Sequence, residues 1–105
     1  MNKQHKIFQK IADFTRSKYP HAEVYLFGSQ ARGDARNLSD WDLLILLNKK
    51  HVSFEEEKQI MDDFYELELE TGEVISPLIY SKADWELKHK MTPLYKNISK
   101  EGRKI

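Results

Sequence analysis

The chain contains no cysteine. A disulfide framework and a thiolate metal site are therefore excluded, and any bound metal must be held by oxygen or imidazole. Glycine and proline are scarce, at four and three residues in 105. They leave no flexible or proline-rich linker, and no low-complexity tract or internal repeat is visible. Long hydrophobic runs are also missing. The longest, Leu43 to Leu47, is far too short to cross a bilayer. The N-terminal residues Met1-Asn2-Lys3-Gln4-His5-Lys6 lead into a charged amphipathic pattern, unlike a signal peptide. These absences predict a soluble, cytoplasmic protein with no membrane contact. Neither sign of charge dominates, with 17 basic and 17 acidic side chains. Stable nucleic-acid binding is not expected, since domains built for it are usually basic.

What remains is a composition of 40% hydrophobic and 32% charged residues, wet but within the globular range. A chain of 105 residues has room for a single domain, residues 1–105, around one modest core. The charges are segregated along it. Residues 53–73 hold nine acidic side chains and one basic, whereas 82–104 hold seven basic and three acidic. A solvated acidic helix face and a basic tail explain this, and a polar partner interface is the alternative.

Ile7, Phe8, Ile11 and Phe14 recur at helical spacing and predict a helix over Lys3–Lys18, ended by Tyr19-Pro20. Ala22 to Phe27 reads as a β-strand that stops at Gly28. A second strand, Trp41 to Leu47, is apolar beyond Asp42, as expected when both faces of a sheet are covered. Ser53 with Glu56 forms a capping box for a helix to about Leu69, whose core face is read as Ile60, Met61, Phe64 and Leu67. Thr71-Gly72 breaks that helix. A third strand, Val74 to Tyr80, carries Pro77, which favours a sheet edge or a bulge. Ser81 caps a short helix over Lys82–Lys88, and Thr92-Pro93 opens a last helix that ends near Gly102. The order predicts an α+β (α/β-like) fold, a small mixed sheet packed by helices.

The informative segment is Leu26-Phe27-Gly28-Ser29-Gln30-Ala31-Arg32-Gly33, followed by Ser39-Asp40-Trp41-Asp42. Residues two apart on a strand share a face, so Asp40 and Asp42 project together. Two adjacent anions repel unless a cation lies between them, and hard oxygen ligands suit Mg²⁺. Gly28 allows a ligand to approach the backbone, the Ser29 hydroxyl adds a donor, and Arg32 offers a guanidinium to the same anion. A phosphate cradle beside paired aspartates is what phosphoryl or nucleotidyl transfer requires. Each piece has a plainer reading: Asp-x-Asp as a solvated turn, or Arg32 pairing with Asp34 or Asp40. Trp41 faces away from the aspartates and reads as core. Trp85 and Tyr95, among Lys88, Lys90, Lys96 and Lys100, read as helix-packing residues or as an aromatic-basic partner patch. His5, His21, His51 and His89 lack ligand spacing.

Gly28-Ser29, ten intervening residues and Asp40-Trp41-Asp42 resemble the signature of the DNA polymerase β-like nucleotidyltransferase superfamily. With Ala31-Arg32-Gly33 and Ser39, the string looks like the minimal nucleotidyltransferase branch. The resemblance implies a nucleoside triphosphate, ATP being the expected one, bound through Gly28, Ser29, Arg32 and Ser39. It implies two Mg²⁺ ions held by Asp40 and Asp42, and in-line attack on the α-phosphate with loss of pyrophosphate. Members of this branch are often antitoxins paired with HEPN-domain ribonuclease toxins, and some add AMP to a tyrosine of that partner. The family usually takes a third carboxylate from the next core strand. Here that strand holds no aspartate, and its equivalent position is Val74 or Ser76. Glu73 is the one acid adjoining it. A bulge near Pro77 would turn Glu73 inward as a third catalytic residue, and otherwise it is a solvated strand end.

The leading expectation is an antitoxin that transfers a nucleoside monophosphate to a hydroxyl of its partner. The alternative is a catalytically weak or inactive binding module that neutralises the partner by contact. Transfer to a small molecule or an RNA end ranks last, because relatives that do so generally carry an additional acceptor domain.

Overall fold

The computed structural model describes residues 3–33 and 40–105. Among these residues nine elements follow one another: α1 (Lys3–Lys18), β1 (Glu23–Phe27), α2 (Ser29–Arg32), β2 (Trp41–Leu47), α3 (Phe54–Thr71), β3 (Ile75–Ser81), α4 (Lys82–Lys88), α5 (Pro93–Glu101) and β4 (Arg103–Lys104). The strands form one mixed sheet in the order β3-β2-β1-β4. β1 lies antiparallel to β2 and to β4, while β2 and β3 run parallel, joined by the α3 crossover. This is the expected α+β architecture.

β2 is apolar because both of its faces are covered. Trp41, Leu43 and Ile45 belong to a core that includes Ile7 and Ile11 of α1 and Ile60, Phe64 and Leu67 of α3. Leu44 and Leu46 point the other way, into a smaller cluster with Trp85 of α4 and Ile98 of α5. Trp41 is 2% exposed, so it packs the core rather than facing a ligand. Trp85 likewise fastens α4 to the sheet, stacked on His89 and 5.2 Å from the Tyr95 ring.

The helix boundaries follow their capping chemistry. The Ser53 hydroxyl accepts the Glu56 N–H at 3.1 Å, and Gly72 closes α3 in the left-handed conformation that glycine adopts without cost. Ser81 accepts from Asp84 N–H and Thr92 from Tyr95 N–H, with Pro93 at the first helical position of α5. Pro77 sits on β3, an edge strand, where a missing ladder donor is tolerated.

β1 begins one residue later than the sequence suggests, at Glu23, α3 includes Thr71 and ends at Gly72, and three further details differ. β4 was not expected, since two residues carry no alternation to detect. β3 begins and ends one residue later, because Ser81 both finishes the strand and caps α4. Met61 is 44% exposed instead of buried. At 100° per residue it falls about 100° from Ile60 and 60° from Phe64, on the outer flank of α3.

Candidate functional site

The site grows out of sheet register. Phe27 at the end of β1 pairs with Asp42 near the start of β2, and Asp42 pairs with Ser76 near the start of β3. Phe27, Asp42 and Ser76 thus form one row across three strands at one end of the sheet, with Asp42 on the face covered by α4 and α5. The Trp41 N–H donates to the Val74 carbonyl at 2.9 Å, which ties the first residue of β2 to the approach of β3. Asp40 is placed just before that anchor and is exposed. The Ser76 hydroxyl donates to its Oδ2 at 3.3 Å.

Gly28 follows Phe27 and takes φ 75°, ψ −160°, a region almost restricted to glycine. A Cβ at this position would overlap Asp42 Oδ2, so the backbone turn lies directly against the carboxylate. The Gly28 carbonyl accepts the N–H groups of Ala31 and Arg32, each at 3.1 Å, which bends the chain straight from β1 into the single turn of α2. Ser29 is the first residue of that turn and is half-buried.

The electrostatics are those of a carboxylate held partly out of water. Burial raises the pKa of Asp42 above the ordinary aspartate value, and the neighbouring charge of Asp40 raises it further. Arg32 opposes both by favouring the ionised form, which places its charge within reach of Asp42. The same guanidinium donates to Glu101 Oε1 of α5 at 3.2 Å. Arg32 therefore bridges the paired aspartates and the last helix. Glu101 carried no signal in the sequence, because the contact joins residues 69 apart.

The fold brings together Gly28, Ser29, Arg32, Asp40 and Asp42. Ser39 lies outside the described residues, as does Asp34, one of the partners considered for Arg32. Glu73 is held elsewhere: its carboxylate lies 3.6 Å from the Lys3 ammonium of α1. It precedes β3, and the residue opposite Asp42 is Ser76. Among the described residues no group of three or more acidic or histidine side chains is arranged to hold a metal. The donor set around Asp42 is two carboxylates and the Ser76 hydroxyl, all hard oxygens that suit a cation such as Mg²⁺. Neither aspartate lines the cleft of about 320 Å³ formed by Phe8, Leu26, Gln30, Trp41 and Arg103 with Gln4 and His5. Asp40 is exposed and Asp42 half-buried.

This geometry can be set beside known proteins. Residues 9–104 match the family model described as polymerase beta, nucleotidyltransferase. No curated protein matches the chain. Among solved structures, a toxin–antitoxin complex with AMP-PNP superimposes with a TM-score of 0.66 at 19% identity, over 99% of this chain and 72% of that one. A mutant of the toxin–antitoxin pair MntA–HpeT gives 0.65 at 19% identity, over 93% and 70% of the two chains. A second MntA–HpeT mutant gives 0.65 at 17% identity, over 99% and 72%. At these identities the structures speak for the fold, whereas the family model spans nearly the whole chain. Among the described residues, no helix is long and apolar enough to cross a membrane. The protein belongs to the polymerase beta nucleotidyltransferase family.

Proposed function

We propose that the chain is a Mg²⁺-dependent nucleotidyltransferase of the minimal, antitoxin type, acting as one domain in the cytoplasm. It transfers AMP from ATP to a hydroxyl acceptor, a tyrosine of a HEPN-type toxin partner. The observation that carries this reading is the contact between the Gly28 turn and Asp42, where any side chain on residue 28 would displace the carboxylate. A turn that close allows one triphosphate to touch the backbone and a carboxylate-held cation together. Gly28 and Ser29 receive the phosphates, Ser39 is assigned to the same role from its place in the motif alone, and Arg32 exchanges Glu101 for a phosphate oxygen. Asp40 and Asp42 hold the cation, whose charge neutralises the phosphate oxygens. The AMP-PNP bound in one toxin–antitoxin neighbour is consistent with an adenine nucleotide as substrate.

The test uses labelled ATP, Mg²⁺ and the protein encoded beside this one. Label is expected on a tyrosine of that protein and is lost with Asp42→Asn. Labelling that persists in the variant overturns the role of the pair.

A second reading has its own observation. Ser76, not a carboxylate, stands opposite Asp42, and Glu73 is engaged by Lys3. On this reading the chain keeps the fold and neutralises its partner by contact. Cells carrying the toxin with Asp40→Asn/Asp42→Asn protein separate the two. Survival shows that contact suffices, whereas death with the complex intact assigns neutralisation to transfer.

A further inference from the structure

Helix α3 is amphipathic twice over. Ile60, Phe64 and Leu67 enter the core, at 4%, 1% and 4% exposure. Phe54, Met61, Tyr65 and Leu69 are 78%, 44%, 59% and 68% exposed. At 100° per residue these four fall within an arc of about 80°, and its centre is roughly 130° from that of the core stripe. Such a stripe is the spacing of an interhelical seam, not the scatter of isolated surface apolar residues.

The flanks of the stripe are acidic. Glu57 lies on one side, with Glu55, Asp62 and Glu66 on the other, and all four are exposed. Lys58, the one basic residue of the helix, is exposed and falls within the stripe, between Tyr65 and Leu69, so the long alkyl stem of that side chain is part of the apolar surface while its ammonium reaches past it. This field repels phosphate-bearing nucleic acid and anionic lipid, and it attracts cations. The stripe also belongs to the sheet face opposite Asp42, because the core residues of α3 pack with Trp41, Leu43 and Ile45.

We propose that the outer face of α3 docks a protein helix whose own apolar stripe is flanked by lysine or arginine. Its apolar residues cover Phe54, Met61, Tyr65 and Leu69, while its cations meet the flanking carboxylates and set the register. A protein held there leaves Asp40 and Asp42 open, so anchoring and the site occupy different faces. The inference does not depend on the transfer chemistry.

Three synthetic helical peptides test it by NMR titration of the full chain. One has a leucine stripe flanked by lysines, one has the same composition scrambled, and one has the same stripe flanked by glutamates. The lysine-flanked peptide is expected to shift the Met61 methyl and the α3 amides, and to bind about tenfold more tightly than either comparator. Tyr65→Glu should weaken it about tenfold with thermal unfolding unchanged, since the ring is more than half exposed. Equal binding of the scrambled peptide, or shifts confined to other elements, overturns the proposal. So does self-association of the chain that Tyr65→Glu abolishes, which would make a second copy the occupant. Adsorption to phosphatidylcholine vesicles through the same residues also overturns it.

Discussion

The two faces of the sheet are built to different standards. Under α1 and α3, twelve buried side chains of the described residues form one cluster, and Phe14, Tyr19 and Phe64 lock together with ring centroids 5.1–6.1 Å apart. Under α4 and α5, four buried side chains of the described residues are rimmed by partly buried aromatics. Each face keeps an opening, here the groove of about 270 Å³ beside Tyr25, Leu44 and Trp85, on the other face the cleft of about 320 Å³ at Phe8 and Trp41. β2 serves both faces through its two-residue alternation. Its odd positions, Trp41, Leu43 and Ile45, secure the fold. Its even positions begin with Asp42, which needs water, ions and open space. Density and chemistry are thus separated by one residue on one strand.

If the faces differ in this way, truncations should differ too. Phe64→Ala removes a ring from the centre of the dense face and should cost about 3–5 kcal/mol. Ile98→Ala, on the thin face and near its groove, should cost close to 2 kcal/mol, the low end for such truncations. Urea unfolding of both variants measures the contrast. Equal losses would show that the two clusters carry the fold jointly and would dissolve the comparison.

A smaller effect is expected at the junction between fold and site. Gly28→Ala places a Cβ at φ 75°, ψ −160° and drives it into Asp42 Oδ2. The backbone region alone costs about 1–3 kcal/mol for a residue with a side chain. Thermal unfolding should register that loss, and an ATP analogue should bind more weakly because the carboxylate must move. Unchanged binding would detach the Gly28 turn from the nucleotide.

Much of this was legible in the sequence, and the failures have physical causes. Caps at Ser53, Ser81 and Thr92 are local chemistry, and each lies where its pattern placed it. The face assignment of Trp41 and Asp42 follows from strand alternation alone. Met61 was misplaced because α3 carries two apolar stripes, and periodicity does not say which of them meets the sheet. The position opposite Asp42 required the register of β2 on β3, which a long crossover leaves open. Val74 and Ser76 both qualified on paper, and pairing selects Ser76. The ion pair between Lys3 and Glu73 joins α1 to the approach of β3, and that contact has no sequence signature.

The smallest effect runs in the opposite direction and sharpens the comparison most. Burial and Asp40 raise the Asp42 pKa above the value it has in the unfolded chain. The folded state then binds protons more tightly than the unfolded one. Stability falls as pH rises from the ordinary aspartate range through the raised value, and is level above it. Asp42→Asn removes a charge that opposes folding, so Tm should increase at neutral pH, by a small amount because the carboxylate is only half-buried. The gain should vanish in acid, below the ordinary aspartate pKa, where Asp42 is protonated in both states. Added Mg²⁺ should raise the Tm of the parent protein at neutral pH more than NaCl of equal ionic strength does, and this excess should be absent in Asp42→Asn, because a cation bound only by the folded state stabilises it beyond general screening. A variant less stable than the parent at neutral pH would instead show that the ionised carboxylate is already satisfied by its neighbours. In that case the thin face would hold no unbalanced charge, and the division between a stabilising face and a reactive one would rest on packing density alone.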